Sequence, residues 1–150
     1  MNPALRLFSF GWWCLVALFL LQSGCSSWRM WVTVQSHQDT NQGRPLHVLV
    51  RTVSSEQYRD ESYADVVQLA VKPDKTVIRT LLLEPNQKRR MFLTVPSDKS
   101  VGIYLLLDST TGSWKLLLPP PLPWTISVPL GRTGMIIPQV KECRLGRGLP

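Results

Sequence analysis

The sequence predicts a mainly all-β protein: a β-sandwich of seven to eight strands with one short helical insert. Three observations predict it. Short runs rich in Val, Leu, Ile and Thr alternate apolar and polar residues with a period of two. Clusters of Pro, Gly, Asn and Asp separate these runs at regular spacing. Twelve prolines and nine glycines punctuate a chain that is 44% hydrophobic. At 150 residues there is room for one ordinary domain, and 18% charged residues with balanced hydropathy exclude wholesale disorder and a multi-span membrane protein. The net charge of +7 bears on solubility and surface affinity, not on fold.

Residues 1–24 read as an export signal. A basic start ending at Arg6 precedes an apolar run, residues 7–21, broken only by Ser9 and Gly11; Ser23, Gly24 and Cys25 follow. A spanning helix needs about 20 apolar residues, so Gln22 ends the run early, and an uncleaved single-span anchor is the alternative reading. Gln22-Ser23-Gly24-Cys25 resembles the bacterial lipobox, with Gln22 where an aliphatic residue is preferred. Small residues let the extended backbone enter a peptidase, and the Cys25 thiolate is a soft nucleophile for alkylation by lipid. With Cys14 in the discarded segment and Cys25 acylated, Cys143 has no partner and no disulfide framework is expected. The expected organisation is a signal at 1–24, a lipid-anchored sandwich at 25–140 and a basic, disordered tail at 141–150.

Residues 28–35 alternate as a half-buried strand, with one of Trp28 and Trp31 expected at the headgroup level and the other in the core. Residues 36–45 are polar and aperiodic, hence a surface loop. Residues 46–53 resume the alternation, with Leu46, Val48 and Val50 opposite His47 and Arg51. Ser54 with Gln57 has the spacing of a capping box, and Ser62 with Asp65 is a looser version; Ala64 and Val67, with Tyr63 and Ala70, are expected to pack a short helix that Pro73 and Asp74 end. Strands then follow at 76–84, 90–95 and 101–108, with a hairpin into 113–118. Prolines at 119–121 and 123 must cross between sheets or run along an edge. Strands at 124–130 and 135–140 complete the set.

Signals for catalysis are poor. His37 and His47 stand ten residues apart without the close set of further ligands that a metal site requires. No nucleophile elbow, phosphate-cradling loop or metalloprotease helix occurs. Glu56, Asp60, Glu61 and Asp65 read as a solvated acidic face. The basic groups at 88–90 and in the tail lack the interleaved aromatics of a nucleic-acid platform. The expectation is a protein that is not an enzyme, with no cofactor, no metal, no small-molecule substrate and no nucleic-acid partner.

Taken in order, the lipobox cysteine, the first strand, the loop ending Asn41-Gln42-Gly43-Arg44-Pro45, the strand Leu46-His47-Val48-Leu49-Val50-Arg51, the helix Tyr63-Ala64-Asp65-Val66-Val67-Gln68-Leu69, and Val101-Gly102-Ile103-Tyr104 with Trp114-Lys115 resemble the TssJ (SciN) family of type VI secretion outer-membrane lipoproteins. Three features depart from the family pattern: only Ser26-Ser27 separate the lipid position from the first strand, Glu61 stands where an aromatic is usual, and the basic tail beyond Val140 has no counterpart. The resemblance implies a transthyretin-like sandwich hung by lipid on Cys25 from the outer membrane, facing the periplasm. It also implies that residues 36–45 bind the periplasmic part of the inner-membrane TssM component, with Asp39, Asn41 and Arg44 making directional contacts and Gly43 and Pro45 fixing the turn. A pilotin-like or structural envelope lipoprotein serving another assembly is the alternative.

Overall fold

The computed structural model describes residues 27–109 and 111–141. Cys25, the export segment and nearly all of the basic tail, Cys143 included, lie outside the described residues. Eight strands run in order: β1 Ser27–Gln35, β2 Leu46–Thr52, β3 Val77–Leu83, β4 Lys88–Pro96, β5 Val101–Leu106, β6 Lys115–Leu118, β7 Thr125–Pro129 and β8 Gln139–Lys141, with two helices, α1 Ser55–Asp60 and α2 Tyr63–Val71, after β2. They form two four-stranded sheets, ordered β4-β1-β7-β8 and β3-β2-β5-β6. This is the expected all-β sandwich with its helical insert.

The period-two patterns decide which side chains meet between the sheets. Met30, Val32 and Val34 from β1, Val48 and Val50 from β2, Leu93 and Val95 from β4, Ile103 and Leu105 from β5, and Ile126 and Val128 from β7 form one core. All of these are at most 1% exposed, the packing expected when two pleated sheets interdigitate. β1 pairs antiparallel with β4 and parallel with β7, so β7 needs a long connection that returns it to the starting edge of β1. The proline segment supplies that crossing, as expected of residues without a ladder donor.

A second, smaller core lies under the helices, on the outer face of the β3-β2-β5-β6 sheet. It is built on Leu49, Val66 and Tyr104, with Tyr58, Leu69, Ala70, Leu106 and Trp114 against them. The helical insert is two helices, not one, and its caps differ in strength from the sequence expectation. Ser62 and Asp65 form the reciprocal capping box, whereas Ser54 only accepts from the Gln57 N–H. The packing face also differs: Val66 is buried while Ala64 is exposed, so Tyr63, Val66, Leu69 and Ala70 face the sheet. The last expected strand is shorter: Met135 makes only an isolated bridge to Leu130, and β8 begins at Gln139.

The acidic run is not a uniformly solvated face. Glu61 turns inward, its side chain 6% exposed, and pairs with Arg51 at 3.1 Å, itself 2% exposed. The Tyr104 hydroxyl donates to the other Glu61 carboxylate oxygen. Lys115 closes this cluster: its Nζ donates to the Tyr58 carbonyl at 2.6 Å and the Glu61 carbonyl at 3.2 Å, and lies 4.7 Å from the Tyr58 ring centroid and 5.2 Å from that of Trp114. The Trp114-Lys115 pair thus clamps the loop between the helices onto the sheet. Gly102 is required beneath it, because a Cβ there would stand 2.6 Å from the Tyr104 ring.

Neither early tryptophan enters the core completely. Trp28 is half-buried against it. Trp31, 38% exposed, lies on the outer face of its sheet, with its ring centroid 4.9 Å from that of Phe92 and the Arg90 guanidinium 4.1 Å above it.

Candidate functional site

The strand directions give the sandwich two poles. β1 starts at Ser27, two residues after Cys25, and its nine residues at about 3.3 Å each carry the chain roughly 25–30 Å before residues 36–45 begin. The β1 loop is therefore at the pole opposite the start of β1. Because β7 runs parallel to β1, the connection after it arrives at the same pole, and the β5–β6 connection joins them beside the start of β2.

Asn41 ties these three connections together. Its backbone N–H donates to the Arg132 carbonyl at 3.1 Å, its side-chain oxygen accepts from the Asp108 N–H at 2.8 Å, and its Nδ2 donates to the Pro45 carbonyl at 3.0 Å. It is 4% exposed. The sequence reading gave Asn41 a directional contact with a partner, but its amide is already engaged on both sides. It shapes the loop instead.

Asn41, Gln42 and Gly43 are all left-handed, with φ of 51°, 59° and 75°. Asn and Gly occupy this region readily. Gln42 does not, and its enforced conformation costs about 1 kcal/mol, a strain of the kind that recognition loops hold. At the loop's entry, the Ser36 hydroxyl donates to the Glu84 carbonyl at 2.6 Å and accepts from the Gln87 N–H at 2.9 Å. The Thr40 hydroxyl accepts from the His37 N–H at 2.8 Å. These bonds account for the buried polar side chains at Ser36, Thr40 and Asn41.

The exposed groups are what a partner can meet. The Asp39 side chain is 60% exposed and 3.8 Å from the His37 imidazole. Arg44 is 69% exposed and pairs with Asp108 at 3.1 Å, leaving its remaining guanidinium donors outward. Gln42, Gly43 and Pro45 are exposed beside them. A concavity of about 160 Å³ lies between the loops, lined by Asn41, Gln42, Leu107, Ser109, Arg132 and Thr133. The sequence reading found the β1 loop but missed Asp108 and Arg132, which reach it only through tertiary folding. Among the described residues, no group of three or more His, Cys, Asp or Glu side chains is placed to hold a metal. The chemistry on offer is hydrogen bonding and charge pairing from a braced surface.

Residues 47–130, from β2 through the proline crossing to the end of β7, match the family model described as IglE, N-terminal domain. The chain belongs to that family. Among curated proteins no sequence match is found. The fold of this IglE-family chain is similar to that of Lip, described as a membrane-bound component of the type VI secretion system of Serratia marcescens. The two are 17% identical with a TM-score of 0.63, over 75% of this chain and 98% of that one. It is likewise similar to the type VI secretion lipoprotein TssJ1 from Pseudomonas aeruginosa, at 15% identity and a TM-score of 0.62, over 79% and 99% of the two chains. A chain in a structure described as the type VI secretion protein TssM C-terminal domain from EAEC matches at 10% identity and a TM-score of 0.54, over 72% and 95%. The resemblance to the TssJ family read from the sequence is thus met in a shared fold.

Proposed function

We propose that this protein is an outer-membrane lipoprotein of a type VI secretion system. Lipid on Cys25 holds one pole to the periplasmic leaflet, and the opposite pole binds the periplasmic part of a TssM-like inner-membrane component. One observation carries the reading: the start of β1, two residues after the lipobox cysteine in sequence, and the braced, polar loop cluster stand at opposite ends of the sandwich. Such a molecule can span the distance from bilayer to partner without bending. The similarity of the fold to Lip and TssJ1 supports the same reading. No catalytic role is assigned.

In this reading the acyl chains supply the membrane affinity, each buried methylene contributing about 0.8 kcal/mol, with two or more chains needed for stable attachment. Arg44 and Asp39 make the directional contacts, and Gly43 and Pro45 set the turn that presents them. Fractionation and co-purification test both halves. Cys25→Ser is expected to leave a folded domain that no longer sediments with membranes but still captures a TssM periplasmic domain. Replacing residues 36–45 with a glycine-serine linker is expected to leave membrane sedimentation intact and abolish capture. Membrane retention of Cys25→Ser would favour an uncleaved span, and equal capture by both forms would reject the loop. Failure of the intact chain to capture would favour an envelope lipoprotein of another assembly.

A further inference from the structure

At the pole where β1 starts, two residues after Cys25 in sequence, lies an apolar groove of about 540 Å³, lined by Trp28, Leu118, residues 119–123, Trp124 and Val140. We propose that this groove is a bilayer-docking surface, seated in the headgroup layer of the membrane that carries the Cys25 lipid. The proposal rests on the anchoring reading above.

Chain length argues for this occupant. Trp28 is three positions after Cys25, so its Cα lies at most about 11 Å along the chain from position 25. The headgroup region of one leaflet is itself roughly 5–8 Å thick. With Ser26 and Ser27 as the only spacer, the groove cannot stand far from the surface when the acyl chains are inserted.

Composition argues the same way. Trp124 is 52% exposed and Val140 49% exposed. The Trp28 and Trp124 rings meet at 4.9 Å, and the Trp28 Nε1–H donates to the Pro123 carbonyl at 3.4 Å. Indoles favour the membrane interface because they join a large apolar face to one polar N–H. Four of the five residues at 119–123 are prolines without a backbone N–H. That removes donors whose desolvation would otherwise oppose entry into a poorly hydrated layer.

Docking gives the anchored sandwich a second point of attachment. A single thioether leaves orientation free; lipid and groove together hold the long axis of β1 away from the bilayer and direct residues 36–45 toward the periplasm.

The test uses the mature, acylated chain in phosphatidylcholine vesicles, with bromine placed either near the headgroup or deep in the acyl chain. Vesicle flotation and tryptophan emission are read together. Headgroup-level bromine is expected to quench the bound chain more strongly than deep bromine. Trp124→Phe is expected to lose at least half of the quenched emission, and Trp31→Phe to keep it. A chain that floats without quenching, or whose quenching survives Trp124→Phe unchanged, overturns the docking surface while leaving the anchor standing; a second copy or the C-terminal tail in the groove would give that result. A chain that fails to float rejects the anchor and the docking together.

Discussion

Because the Asn41 amide is bonded to Pro45 and Asp108, Asn41→Ala separates the shape of the loop from its contacts. The substitution removes two hydrogen bonds, leaves the Asp108 N–H without its partner, and places alanine at φ 51°. The expected cost is about 2–3 kcal/mol in urea unfolding, together with weaker partner capture although no exposed group has changed. Tyr104 gives a second test, through pH. Its phenol is pushed well above the ordinary value of 10.0, first by burial and then by its hydrogen bond to Glu61. The native state therefore holds this proton more tightly than the unfolded chain does. The contribution is complete below pH 10.0 and is lost as pH rises from there toward the folded value. The urea midpoint should fall above pH 10, less steeply in Tyr104→Phe; an unchanged slope would place the alkaline loss elsewhere, for instance at Tyr58 or Tyr63, whose phenols are also raised. Residue-level chemistry was only partly legible in the sequence. Asp39 and Arg44 are exposed as a polar, aperiodic run implies. The burial of Asn41 depends on Asp108 and Arg132, which are 67 and 91 residues away in sequence. Glu61 could have been found: an arginine on the helix-covered face of β2 needs a carboxylate, and Glu61 follows in the insert.

The helices differ in how much depends on each cap. Ser62 starts the nine-residue α2, which carries the fully buried Val66, and its capping box is reciprocal. Ser54 starts the six-residue α1, which buries no residue completely. Loss of an N-cap oxygen costs about 0.5–2 kcal/mol. Ser62→Ala should therefore fall near the upper end of that range and Ser54→Ala near the lower, as measured by chemical denaturation; the reverse order would mean that α1, not α2, holds the insert on the sheet. Strand existence was legible because a period of two survives in a single sequence. The parallel pairing of β1 with β7 was not, because neither strand records which neighbour it will find. The helix face was displaced because Ala64 and Val67 are as apolar as the residues that pack; only the sheet beneath, with Tyr104 and Leu49, decides between them.

At the scale of the whole molecule, the account is one of polarity. The start of β1 and the tryptophan-proline groove belong to one end, the braced loops to the other, and nine residues of β1 connect them through the core. The sandwich and its helical insert were predictable from turn spacing and strand pattern. The grouping of three connections into one surface was not, since it follows from the crossing between sheets. Calorimetric titration of a TssM periplasmic domain into the soluble Cys25→Ser chain tests this polarity most directly, comparing Arg44→Ala and Asp39→Ala at the loop pole with Arg29→Ala near the start of β1. The account predicts at least tenfold weaker binding for each loop-pole variant, unchanged affinity for Arg29→Ala, and unfolding midpoints close to that of the parent for all three. Full affinity in both loop-pole variants, or a loss confined to Arg29→Ala, would contradict it.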